Sequence, residues 1–264
     1  MPGRRSVISA AVALALCSAA VARGSVMVTA EFVHDLTHPN TSVNIDGAVF
    51  ATIDTQPTGS GVIHSFVRIG AASKDIVQGY NTDGRGLQFD ENNSATFTRH
   101  QNLSDMKVVT KDNIQYYQFL LDINQRSSEP LLTLNEVEIW LGDAPDLLGY
   151  SPNRSGGGTG FGAHASFVYD IDELNDNAID LNYNLNSGSG SGDMWAYIPK
   201  DRFHGPNNYV YLYSKFGIPH PNNDGYEEWS AIEGSNPVVP EPSSLLSGAI
   251  IIGLAASRSR KRSA

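Results

Sequence analysis

The chain has 264 residues, 28 acidic and 18 basic side chains, a formal charge of −10 and a hydrophobic fraction of 41%. That hydrophobic content excludes a wholly disordered chain, and the length suits one large all-β domain or two small ones. Residues 23–237 hold 12 basic against 27 acidic side chains, a net of −15, which repels a phosphate backbone and excludes nucleic acid as a partner.

Residues 1–22 read as a secretory signal peptide: Arg4 and Arg5 precede an apolar run over residues 7–17, and Ala20-Val21-Ala22 supplies the small-x-small cleavage pattern. Cys17 is the only cysteine, and cleavage removes it. The mature chain then has no thiol for a disulfide, a metal or nucleophilic catalysis. Its core, or bound ions, must hold it together.

Short apolar or alternating runs follow, each ended by Gly, Asn, Asp or Pro. They predict strands near residues 26–33, 48–53, 62–69, 95–99, 107–110, 114–123, 132–141, 165–171, 179–185, 194–198 and 209–213. Eleven strands without long helical stretches predict an all-β fold, an antiparallel β-sandwich of jelly-roll type, spanning residues 23–233. The glycine-rich residues 151–162 read as a loop within that domain. Neither they nor residues 186–192 carry the Lys-Ser/Thr ending of a phosphate loop.

His34 and His38 have helical metal-site spacing, but Pro39 and the missing Glu of His-Glu-x-x-His make them turn residues. Glu136 and Glu138 share one face of a strand, with Val137, Ile139 and Leu141 on the other. Jelly-roll glycosidases of the laminarinase type line a cleft with carboxylates in this way. Here the third acid of that pattern is missing, so a solvated strand face is the preferred reading and a hydrolase the last. Asp170, Asp172, Asp176 and Asp180 crowd hard oxygens into eleven residues. They are candidate Ca2+ ligands, although Asx turns explain such clusters equally well.

Tyr209, Tyr211 and Tyr213 share one face of the 209–213 strand, and Trp195 and Tyr197 form a similar pair. These five aromatics are candidate carbohydrate-binding residues. Cross-strand packing inside the fold is the favoured alternative, because an exposed aromatic ladder is an aggregation liability.

The chain ends in three parts: Val239-Pro240-Glu241-Pro242 within a stalk at 234–244, an uncharged apolar run over residues 245–256, and a basic cluster of Arg258, Arg260, Lys261 and Arg262. As a helix the 12-residue run covers about 18 Å, short of the roughly 30 Å of a bilayer core, and the basic cluster stays cytoplasmic. This arrangement resembles the PEP-CTERM sorting signal of exosortase substrates in Gram-negative bacteria. The resemblance implies transient retention at the inner membrane, processing by an exosortase near the Pro-Glu-Pro element and release to the cell surface or extracellular matrix, often alongside polysaccharide. Residues 79–85, 88–90, 119–124 and 187–194 also resemble blocks of uncharacterised PEP-CTERM ectodomains, which imply no known activity. Together these readings lead to an exported, non-catalytic structural or adhesive protein, with a carbohydrate-binding module as the alternative.

Overall fold

The computed structural model describes residues 30–53, 64–70, 74–152, 159–188 and 192–231. The signal peptide, the whole stalk and the sorting signal lie outside them. Fourteen strands follow in chain order: β1 (Phe32–Leu36), β2 (Ser42–Ile45), β3 (Ala48–Thr52), β4 (Ser65–Ile69), β5 (Val77–Tyr80), β6 (Gln101–Asn102), β7 (Val108–Lys111), β8 (Ile114–Asp122), β9 (Leu131–Gly142), β10 (Ala165–Asp170), β11 (Asn177–Asn182), β12 (Met194–Pro199), β13 (Tyr209–Phe216) and β14 (Glu227–Ala231). They form two seven-stranded, mostly antiparallel sheets. Among the described residues no helix is long and apolar enough to cross a membrane.

The first sheet has the order β1-β11-β9-β13-β5, with β10 also on β9 and β6 also on β13. Its spine is β9, twelve residues long. The N-terminal half of β9 pairs with β11, the C-terminal half with β10, and its other edge with β13. The strands on either side of the 151–162 loop therefore belong to one sheet. Among the described residues only β1 runs parallel to its neighbour, β11. The second sheet has the order β2-β3-β12-β8-β14-β4, with β7 also on β8. Two of its hairpins close on two-residue turns, Asp46-Gly47 and Asp112-Asn113, with positive φ at both positions. That backbone matches strand twist and suits Asp, Asn and Gly.

Both sheets contribute to one core. Val137, Ile139, Leu141, Val210 and Leu212 from the first sheet and Phe50, Phe119, Leu121 and Trp229 from the second belong to the same buried cluster. Two side chains tie the sheets across it. The Trp229 indole N–H donates to Ser214 Oγ at 3.0 Å, and the Tyr169 hydroxyl donates to the Ile45 carbonyl at 3.1 Å. A polar group in such a core is tolerated because each donor finds its acceptor.

Some expected strands are displaced. Residues 95–99 form turns, with Phe97 and Thr98 N–H groups donating to the Ser94 carbonyl, so the apolar alternation there is too short to pair. The 179–185 strand starts earlier and gives way to a 3-10 turn at Tyr183–Leu185. Four strands, β2, β5, β6 and β14, were not expected from the sequence.

Candidate functional site

Alternation along β13 places Val210 and Leu212 in the shared core and turns Tyr211 and Tyr213 to the opposite side. That side is not open to a ligand. Tyr211 is 1% exposed and belongs, with Tyr80, Trp140, Tyr150, Phe161 and Tyr213, to a second buried cluster on the outer face of the first sheet. The segment after β9 folds back to cover it: Tyr150 lies 4.8 Å from Tyr213 and Phe161 4.5 Å from Tyr211, centroid to centroid. The Tyr211 hydroxyl donates to the Ala144 carbonyl at 2.6 Å and accepts from the Leu147 N–H at 3.0 Å, pinning this cover. Tyr213 donates to Gln78 Oε1 at 2.6 Å. Tyr209, half-buried, packs against His100. The tyrosine face considered for carbohydrate is therefore a second core, because burying a full ring stabilises more than leaving it in water.

Trp195 and Tyr197 lie on the other sheet. They alternate with Met194, Ala196 and Ile198 of the shared core and so face outward on β12. Their rings are 6.4 Å apart, Tyr116 stands beside Tyr197, and Lys111 Nζ sits 4.0 Å over the Tyr197 ring. The five candidate aromatics are thus split between opposite sheets and make no common surface.

Glu138 corrects the expectation of a solvated strand face. It is 3% exposed beneath the aromatic cluster, and Trp140 Nε1 donates to it at 3.2 Å. Burial pushes its carboxyl up to about 7, with the charges of Asp170 and Asp172 acting in the same direction. Asp170 stands directly opposite it in the β9–β10 register. The Glu138 carboxyl thus lies beneath the aromatic cover rather than on an open, solvated strand face. Glu136, half-buried, stands opposite Lys215.

Asp122 belongs to a separate acidic group on the second sheet, with Asp193 and Glu227. Asp193 Oδ2 accepts the Ile123 N–H at 2.8 Å; Glu227 accepts the Asn124 N–H at 3.0 Å and the Gln125 side-chain amide at 3.2 Å. These carboxyls anchor the chain as it leaves β8. Burial pushes Asp193 up to about 9 and Glu227 well above its usual range, and the neighbouring acids add to both shifts.

The expected calcium ligands do not converge. Asp170 Oδ1 accepts the Asp172 N–H at 2.7 Å and Asp172 Oδ1 the Asn177 N–H at 2.8 Å, so both are turn acceptors between β10 and β11. Asp180 takes the Thr133 hydroxyl at 2.6 Å, and Asp176 is exposed. Among the described residues no group of three or more His, Cys, Asp or Glu side chains is placed to hold a metal ion. His34 bonds Asn177 Oδ1 at 3.0 Å, while His38 stands beside Asp35.

The feature that sequence reasoning missed is a groove at one end of the two sheets. The β2–β3 turn, β10, the end of β12 and the segment after it enclose about 580 Å³ lined by Asp46, Phe167, Glu173, Asp201, Arg202 and His204, among others. A cleft of about 460 Å³ with Lys200, Gln115 and Asn113 adjoins it, sharing Ile114 and Asp201. Phe167 is 43% exposed and Ile114 49%. Phe167 stands opposite Trp140 on the outer face of the first sheet, and a bulge follows it in β10, before Tyr169. Neither a protein-family model, nor a curated protein, nor a solved structure matches this chain.

Proposed function

We propose that this chain is an exported protein, processed by an exosortase, whose jelly-roll-like β-sandwich has a non-catalytic structural or adhesive role at the cell surface or in the extracellular matrix. The tail of Val239 to Pro242, the apolar run and the basic cluster ending at Arg262 supports the address and the transient stay at the inner membrane. One observation carries the role: the first sheet is packed on both faces, so its acids and tyrosines are spent on cohesion. Such a body, without a cysteine beyond the signal peptide, suits a durable surface module.

The full chain, tagged within its exported part, tests this in the host with and without its exosortase. A shortened product at the surface or in the medium, replaced by intact precursor in the inner membrane when the exosortase is deleted, supports the reading. Intact protein at the surface in both strains refutes it.

Carbohydrate binding is the second reading, favoured by the exposed Phe167 in the end groove and no longer by the tyrosines.

A further inference from the structure

We propose that the end groove binds a neutral polysaccharide chain, with Phe167 as the ring on which a sugar stacks and Arg202 as the donor that orients it. The inference rests on the carbohydrate-binding reading and adds the site, the ligand charge and the residues.

Seven large apolar side chains are exposed among the described residues, and two of them, Phe167 and Ile114, line the same concavity. The Phe167 ring is fixed edge-to-face against Trp140 at 5.3 Å, so binding costs it little rotamer freedom. Flat apolar rings suit the C–H faces of sugars, whose hydroxyls then need polar partners at the rim.

Those partners are fixed in advance. Arg202 Nη1 donates to Glu173 Oε2 at 2.6 Å and Nη2 to the Asp46 carbonyl at 2.7 Å, while the guanidinium lies 5.4 Å from the Tyr169 ring. These contacts commit two of the five N–H donors of arginine. The wall that carries Arg202 is anchored to the shared core by Phe203, whose ring packs against Tyr117 at 4.7 Å. Preorganisation of this kind distinguishes a site from a surface dent.

Charge selects the ligand. Asp46, Glu173 and Asp201 stand with Lys200 and Arg202 around the two joined clefts, three acids against two bases, so no basic patch draws an anion there. The −15 of residues 23–237 disfavours uronate or phosphate polymers at long range. An apolar peptide or lipid would want a deeper apolar floor than two exposed side chains provide. The continuity of the clefts through Ile114 and Asp201 suits several rings of an extended chain.

The test is calorimetric titration of the purified full chain with neutral β-1,3-glucan, β-1,4-glucan and α-mannan hexasaccharides, and with a uronate hexasaccharide. Saturable binding of at least one neutral hexasaccharide is expected, weakened about tenfold by Phe167→Ala and largely kept by Phe167→Tyr. Arg202→Gln gives an independent loss. Thermal melts show whether each variant folds, and Tyr197→Ala, on the outer face of β12 and outside the groove lining, leaves the affinity unchanged. No binding of any neutral hexasaccharide, tighter binding of the uronate, or binding indifferent to both Phe167→Ala and Arg202→Gln overturns the proposal. Loss confined to Tyr197→Ala leaves carbohydrate binding standing and removes this groove as its site.

Discussion

Replacing Tyr211 by phenylalanine keeps the ring in the outer aromatic cluster and removes only the hydroxyl that pins the segment after β9. That hydroxyl donates to the Ala144 carbonyl and accepts from the Leu147 N–H. Each bond contributes a net ~1 kcal/mol, and a covered N–H left without an acceptor costs its desolvation as well, so the expected loss is about 2 kcal/mol. In a domain of this size that lowers the melting temperature by roughly 4–8 °C. Urea unfolding followed by tryptophan emission measures the loss. Hydrogen exchange at the Leu147 amide locates it, because the variant should exchange there faster by more than its global stability accounts for. A variant within about 0.5 kcal/mol of the parent, with the Leu147 amide equally protected, would refute the reading of Tyr211 as a clamp. It would also reopen its reading as a ligand-facing residue.

The Asp193 carboxyl, pushed up to about 9 by burial, ionises near pH 4 once the chain unfolds. Its stabilisation is full below about pH 4 and is lost as the pH rises through 9. Urea midpoints should therefore fall from pH 5 to 9, and fall less in Asp193→Asn, which keeps an acceptor for the Ile123 amide; a flat profile in the parent contradicts this. Gly142→Ala would place a Cβ 2.5 Å from the Tyr211 ring and 2.9 Å from Leu147. It should destabilise by about 1–3 kcal/mol, read in the same urea titration, and an unchanged midpoint would show that the cover is loosely packed.

Much of the second sheet was legible because its strands alternate against one core: Met194, Ala196 and Ile198 inward, Trp195 and Tyr197 outward. The same pattern along β9 was legible only halfway. Val137, Ile139 and Leu141 do face the core, but Glu138 and Trp140 on the other side are buried too, and nothing local to β9 announces the cover that reaches them. β14 was missed because Glu227-Glu228 reads as a solvated pair. Glu227 is instead an anchor for the chain after β8, and Glu228 pairs with Arg68 of β4 at 2.7 Å. β2 did carry a signal, an Asp-Gly pair between short apolar runs, which is a strong local cue for a hairpin. The end groove had none, since it depends on four separate stretches of chain meeting at one end.

The strand order has a kinetic consequence. Within the sheets β4 pairs only with β14, and β5 only with β13, although more than 125 residues of chain separate the strands of each pair. Their other edges are met locally, where the Asn92, Arg99 and Asp90 N–H groups donate to the Arg68, Phe66 and Gln78 carbonyls. Synthesis delivers the N-terminal partner first, so one edge of β5 waits for residues 209–216 and one edge of β4 for residues 227–231. Loop closure of that length is slow, and waiting edges invite pairing with other chains. Truncation just before Glu227 would thus deprive β4 of its neighbour as surely as deleting β14 in place. The two sheets of the described domain are therefore completed only when their last strands are present.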